Sequence, residues 1–507
     1  MSVSLKDLLT DLISQFDQFY NKQIEPFNQI VAPINQVLEK IAFEVFDNNV
    51  TSDQIKLLLC FIGIIPLGFI LFQIKSPLIR RLYSTILGFL LSFLVYGGNV
   101  VSSHIMTLAT YILCAIFGRH SQKVVFAFCL AFLSGHHIYR QITDYGGWKI
   151  DVSVILMTNF CKLVSFAFCY SDGFKQENQL SKDQKERRIQ KLPNIFSFFS
   201  YINFLGSAVA GPTFDYYEYD NFINLKNGYS NIPHPFLDTF KNLGTGIVYL
   251  FIAAKVLPRF PLQHVITSEY GNQNTLYKVV YYNVAILLIR IRYYAGWLMI
   301  QCSCASTGIT YNDSSKKFDQ IVTVEESLEF SHEVKVIVDK WNKTIQVWLK
   351  RYVYFRLYSE QEIKNSKTKA SYAQYATILV SAFWHGFYPG YYLAFLQWAV
   401  YISVSKFMWK AATNGKKIFK IFEKFGIIHK VLRWFVCMSF FNSFGVQFVL
   451  LSAESAWLFS KNINFFTITI VIGLFAFFLI TNWGQRTPRS KQEGQTTKEN
   501  VKDIKQD

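Results

Sequence analysis

The sequence predicts an all-α fold, a polytopic helical membrane protein with about ten to twelve membrane segments. Three observations carry that reading. Apolar runs close to the ~20 residues of a full crossing recur between positions 54 and 482. The 507-residue chain is 51% hydrophobic and holds 49 Phe and 29 Tyr. Lys and Arg gather in the short connections between runs, where they act as topology signals. That placement also excludes a nucleic-acid partner as the reason for the net charge of +17.

Residues 1–53 form an N-terminal amphipathic segment. Leu5, Leu8, Leu9, Leu12, Ile13 and Phe16 recur at helical spacing opposite Asp7, Asp11 and Gln15, as expected of a helix lying on the membrane or capping the bundle. No basic n-region and cleavage site precede it, so a cleaved signal peptide is not expected. Asn49-Val50-Thr51 matches a glycosylation sequon too close to the first run for use to be expected. The multi-span domain, 54–483, has candidate segments at 54–74, 82–96, 100–117, 124–139, 152–170, 195–210, 241–257, 279–300, 372–385, 389–408, 431–451 and 464–482. Several are short enough to be tilted, broken or re-entrant. The loop 171–191 is basic, whereas Asp215, Glu218, Asp220 and Asp238 after the next run face a single Lys226. Basic loops belong in the cytosol, which puts the N-terminus on the other side. Run 279–300 contains Arg290 and Arg292 and breaks this parity, so a re-entrant or broken helix is expected there. The tail 484–507 has little apolar content and reads as a disordered polar cytosolic segment. All eight cysteines are poor candidates for a disulfide framework, and none has metal-site spacing, so no metal is expected.

Two stretches stand out chemically. Ser381-Ala382-Phe383-Trp384-His385-Gly386-Phe387-Tyr388-Pro389-Gly390-Tyr391 places a histidine where an apolar helix must break, because Gly386 lacks a Cβ and Pro389 lacks a backbone donor. A polar ring at membrane depth suggests a lined cavity, and a core histidine satisfied by one hydrogen bond is the open alternative. The second stretch, Asp339-Lys340-Trp341-Asn342-Lys343-Thr344, opens an aromatic helix running to Arg356. On it Trp341, Ile345, Trp348 and Tyr352 share a face. Asn342 is either a helix cap or a neutral donor and acceptor inside a site.

Together these stretches resemble the membrane-bound O-acyltransferase family, in its lysophospholipid acyltransferase branch. The resemblance rests on Trp341-Asn342 with Trp348-Leu349, Val353-Tyr354 and Arg356, and on Ser381-Ala382, Trp384-His385-Gly386 and Pro389-Gly390-Tyr391. Weaker matches are Gly211-Pro212, Phe214, Tyr216 and Tyr219, and Arg292-Tyr293-Tyr294 with Trp297. It covers roughly residues 200–410. It implies a central catalytic chamber and transfer of a fatty acyl group from acyl-CoA, a co-substrate, to a lysophospholipid hydroxyl, with no cofactor. It further implies His385 as general base and Asn342 as its polar partner. Trp341, Trp348, Tyr354, Arg356, Trp384 and Tyr388 become candidate substrate-binding residues, and a multi-pass location in the endoplasmic reticulum membrane is implied. A sterol, diacylglycerol or protein acceptor is the alternative within the family. Outside it, a transporter with His385, Arg290 and Arg292 on its pathway is the rival.

Overall fold

The computed structural model describes residues 5–46, 50–147, 149–414, 421–422, 424–481 and 483. Helices make up its regular elements. The first six are α1 (Leu5–Phe46), α2 (Ser52–Gln73), α3 (Pro77–Tyr96), α4 (Val100–Phe117), α5 (Ser121–Thr143) and α6 (Ser153–Asp172). Four short or medium ones follow: α7 (Lys182–Arg187), α8 (Ile195–Ile202), α9 (Tyr216–Ile223) and α10 (Phe236–Lys255). After α11 (Ser268–Gly271) comes the long α12 (Thr275–Thr307), then α13 (Val334–Lys340), α14 (Lys343–Leu349), α15 (Phe355–Leu357) and α16 (Glu360–Asn365). The C-terminal part holds α17 (Lys367–His385), α18 (Pro389–Thr413), α19 (Gly426–Leu450), α20 (Ala453–Asn462) and α21 (Phe466–Thr481).

Five helical runs among the described residues are long and apolar enough to cross a bilayer, and a sixth is added if the bent pair α20–α21 counts as one span. One of the five, Pro77–Thr143, contains α3, α4 and α5, joined by single 3-10 turns at Gly97 and Gly118. The centre of the bundle is α6, whose apolar window is 83% buried; α4, α5, α9 and α14 pack on it. A helix so enclosed is mostly apolar, with Leu156, Phe160, Leu163, Val164, Phe166 and Ala167 all fully buried, and its buried polar residues Asn159, Lys162 and Asp172 are each paired with protein groups.

The N-terminal helix is longer than its first sixteen residues suggest. Its buried stripe is Ile24, Val31, Leu38 and Ala42, and it docks on the turn at Gly97–Gly98, where Asn28 Oδ1 accepts the Gly98 N–H at 2.9 Å. A Cβ on Gly98 would lie 2.7 Å from Ile24 Cβ, so that approach requires glycine. Asn49, the side chains of Leu5, Leu8, Leu9, Leu12, Ile13 and Phe16, and the tail 484–507 lie outside the described residues. Arg80 is not a free loop charge. It is buried on α3 and donates to the helix-end carbonyls Leu71 O (3.1 Å), Ile74 O (2.9 Å) and Phe222 O (3.3 Å).

Three expectations change. Run 195–210 is not a spanning helix: α8 covers eight residues, about 12 Å at 1.5 Å per residue, and the chain continues as irregular backbone. That backbone is enclosed by protein, as membrane depth demands: Ser84 Oγ accepts Leu205 N–H, Ser92 donates to Ala208 O, and Lys162 donates to Ser207 Oγ. Run 279–300 is neither re-entrant nor broken but part of the continuous 33-residue α12. Arg290 does not unwind it because Glu329, on a 3-10 turn of the following segment, takes its guanidinium at 2.7 and 2.6 Å. The stretch from Asp339 to Arg356 is not one helix. It breaks at Asn342 and passes through a π turn at Lys350–Tyr354, so Trp341 no longer shares a face with Trp348 and Tyr352.

Candidate active site

Asn342 joins α13 to α14 in the left-handed region, at φ 34° and ψ 59°. Asparagine tolerates that region better than other residues with a Cβ. A strap at residues 323–325 holds the chain on both sides of it. Thr323 O accepts Lys343 N–H at 2.7 Å and Glu325 N–H donates to Lys340 O at 3.2 Å. The Glu325 carboxylate then takes Lys343 Nζ at 2.5 Å and Lys340 Nζ at 3.3 Å. The Lys343 hydrogen bond, helped by Lys340, holds the Glu325 carboxyl below its ordinary range. Thr323 is anchored in turn on α12, through Gln301 Oε1 and Trp297 O. The Asn342 side chain makes no capping hydrogen bond, and its carboxamide has no protein partner among the described residues. The backbone is thus braced on both sides while the amide stays unspent.

From Asn342 the chain runs along α6 in matching steps. Trp348 Nε1 donates to Cys161 O at 2.8 Å, the Tyr352 hydroxyl lies 3.3 Å from Cys169 Sγ, and Arg356 forms a two-pronged ion pair with Asp172 at 2.8 and 2.7 Å. The histidine stretch meets the same helix one turn earlier, where Trp384 Nε1 donates to Met157 O at 2.9 Å. Met157 and Cys161 are four residues apart, about 6 Å along the axis and on one face. Two segments far apart in the chain are therefore fixed side by side by equivalent indole hydrogen bonds to consecutive turns of α6.

His385 ends α17, and Gly386 turns the chain away at φ 119°. Its ring is half-buried among aromatic side chains: Trp384 at 4.8 Å, Phe448 at 5.1 Å, Phe395 at 5.5 Å and Tyr391 at 5.8 Å between centroids. No protein group among the described residues hydrogen-bonds to it. Ser381, one turn earlier, is buried and makes no hydrogen bond to His385. An apolar cage that leaves both ring nitrogens unspent suits an imidazole whose partner is a substrate.

Beside Trp348 lies a cavity of about 160 Å³, lined by Cys161, Thr213, Phe214, Lys343, Arg351 and Tyr352 among others. The Thr213 hydroxyl is buried on its wall without a partner among the described residues. Its charged rim is a network: Arg187 pairs with Glu218 (3.0 Å) and Asp215 (3.2 Å), and Arg351 with Asp215 and Asp183 (3.3 Å each). Burial pushes the Glu218 carboxyl up and Asp215 adds to it, against the pull of Arg187 and Arg351. This network joins the basic loop 171–191 to the basic stretch after Asn342, so the two lie at one end of the bundle.

The family profile described as MBOAT, membrane-bound O-acyltransferase family, matches residues 138–450, which hold all of these side chains. The chain belongs to the membrane-bound O-acyltransferase family. The chain is similar to a "Lysophospholipid acyltransferase" of Schizosaccharomyces pombe, 30% identical over 390 residues, covering 72% of this chain and 74% of that protein. It is also similar to "Lysophospholipid acyltransferase 1" of Arabidopsis thaliana, 29% identical over 381 residues, with 71% and 81% covered. A third relative is "Membrane-bound glycerophospholipid O-acyltransferase 2" of Gallus gallus, 26% identical over 415 residues, with 77% of each covered.

The other candidate residues of this O-acyltransferase are scattered. Trp341 packs on α12, edge-on to Trp297 at 4.8 Å and near Tyr294 at 5.8 Å. Tyr354 is half-buried on the π turn beside Phe355. Tyr388 accepts the Gly146 N–H at 2.9 Å, and so ties the histidine stretch to the loop after α5. Arg356 has both terminal nitrogens committed to Asp172. The 323–325 strap and the α6 carbonyls escaped the sequence reading. A backbone carbonyl leaves no residue-type signal, and Thr323 and Glu325 sit in a stretch without periodicity.

Proposed function

We propose that this O-acyltransferase is a lysophospholipid acyltransferase, moving a fatty acyl group from acyl-CoA to the free hydroxyl of a lysophospholipid. The observation that carries the reading is the docking of Trp348 and Trp384 on consecutive turns of α6. It sets side by side the two segments whose polar residues, Asn342 and His385, have no protein partner among the described residues. The names of the relatives supply the acceptor class.

The chemistry follows from what these groups can do. A His385 ring nitrogen takes the acceptor's hydroxyl proton as its oxygen attacks the thioester carbonyl. The Asn342 amide donates to the oxygen that gains charge, a contact typically worth ~10²–10³-fold in rate. The tetrahedral intermediate collapses with loss of the C–S bond, and the CoA thiolate takes the proton back from the imidazolium. One histidine thus serves as base and then acid, and no acyl-enzyme is required. The cavity at Trp348 carries Lys343 and Arg351 on its wall beside the carboxylates Asp215, Glu218 and Asp319, so an anionic donor entering there would compete with existing ion pairs. The apolar surroundings of His385 keep water from hydrolysing the thioester. The protein works as a multi-pass enzyme of the endoplasmic reticulum membrane.

The test offers labelled acyl-CoA and each lysolipid class to membranes carrying wild type or His385→Gln. Wild type acylates a lysophospholipid class and neither sterol nor diacylglycerol. His385→Gln inserts and folds but turns over ~10²–10⁴-fold more slowly. Near-wild-type turnover by that variant removes His385 from the chemistry.

A further inference from the structure

A second histidine lies behind the first. His137 is buried on α5, and its Nε2 is 3.0 Å from Trp384 O, the carbonyl of the residue immediately before His385. A carbonyl only accepts, so the contact fixes the proton of His137 on Nε2. Trp384 O belongs to the last turn of α17, where helix carbonyls lack intrahelical partners, and the imidazole fills that vacancy. The same ring packs on the residue that follows His385: a Cβ built on Gly386 would lie 3.4 Å from His137 Cγ and Nδ1. His137 therefore hydrogen-bonds the backbone just before His385 and lies beside the glycine just after it. The Trp384 side chain is anchored independently at Met157 O.

His385 has aromatic neighbours but, among the described residues, no hydrogen bond of its own to hold its ring. Its aim toward the acceptor hydroxyl is set by the backbone of residues 384–386, and that backbone leans on His137. We infer that His137 is a positioning residue for the acyl transfer, holding the Trp384–Gly386 backbone so that the His385 ring points at the substrate hydroxyl. The inference rests on the reading of His385 as general base. His137 touches no substrate; it acts through the aim of His385.

The experiment measures kcat, KM for the lysophospholipid and thermal stability in detergent for full-length His137→Phe, His137→Gln, His385→Gln and the double variant His137→Phe/His385→Gln. His137→Phe keeps a ring and loses the donor; its kcat is expected to fall ~10–100-fold with KM little changed, since small misplacements of a reacting group carry such costs. His137→Gln restores an N–H near the Nε2 position and brings kcat back to within about threefold of wild type, which a pure packing role would not produce. The double variant is no slower than His385→Gln alone, because residues that act through one another are not additive. Full kcat in a folded His137→Phe variant, with His385→Gln inactive, overturns the positioning role and leaves the base reading standing. A Gln variant as slow as the Phe variant, or loss of folded protein in both, makes His137 a packing residue and also overturns it. An active His385→Gln variant overturns the base reading itself, and the positioning role with it.

Discussion

Arg356→Met would separate a structural arginine from one that binds a substrate phosphate. Both terminal nitrogens of Arg356 lie 2.7–2.8 Å from the Asp172 carboxylate, and the two side chains are 12% and 1% exposed. Removing one partner of such a pair leaves a buried charge uncompensated, at a cost of ~3–5 kcal/mol. Lys175 Nζ, 2.9 Å from Asp172 Oδ1, remains as a second partner, but it is 40% exposed and pairs with one oxygen only. The loss is therefore expected at the lower end, about 3 kcal/mol. Arg356→Met/Asp172→Asn removes both charges and should recover most of it. The assay is the thermal midpoint in detergent, with steady-state KM for acyl-CoA measured on the same preparations. Unchanged stability in Arg356→Met refutes the structural reasoning. A double variant that regains stability while its KM rises more than about tenfold gives Arg356 a role at the donor's phosphates in addition to the structural one.

Two further outcomes follow from the bracket around Asn342. Asn342→Gly keeps the left-handed backbone and deletes the carboxamide, so it should fold and turn over ~10²–10³-fold more slowly. Asn342→Ala adds backbone strain of about 1–2 kcal/mol, which a stability measurement on the two variants separates from the lost amide. Glu325 has its folded-state pKa lowered below 4.5 by Lys343 and Lys340, so its contribution is present above 4.5 and is lost as pH falls through the folded value. Glu325→Gln should then be less stable than wild type at neutral pH by no more than ~1 kcal/mol, the carboxylate being partly exposed. That gap should close in acid. A gap that persists unchanged below pH 4.5 shows that the charge is not what holds the strap.

The helices at the two motif stretches illustrate how far a sequence can be read. His385 at the end of an apolar helix was legible because Gly386 and Pro389 are local signals, and local backbone chemistry needs no partner. The break at Asn342 was legible only as the helix-cap alternative. An Asn between Trp341 and Lys343 is compatible with continuous helix, and what bends it is the pairing of 340 and 343 with residues 323–325. Arg290 misled for the same reason. An arginine in an apolar run looks like a break until Glu329, thirty-nine residues on, is brought to it.

The sequence alone determined the all-helical membrane architecture, the family and the two polar residues offered for chemistry. Those follow from hydropathy, loop charge and short ordered motifs, all of them properties of neighbouring residues. Tertiary structure decided where the two motif stretches meet. That depends on two indole N–H groups finding the Met157 and Cys161 carbonyls of α6, and on His137 reaching Trp384 O across 247 residues of chain. Every residue on α6 has a carbonyl, so no residue type could mark the two that are used. Only the packing of α5, α14 and α17 around one buried helix selects them.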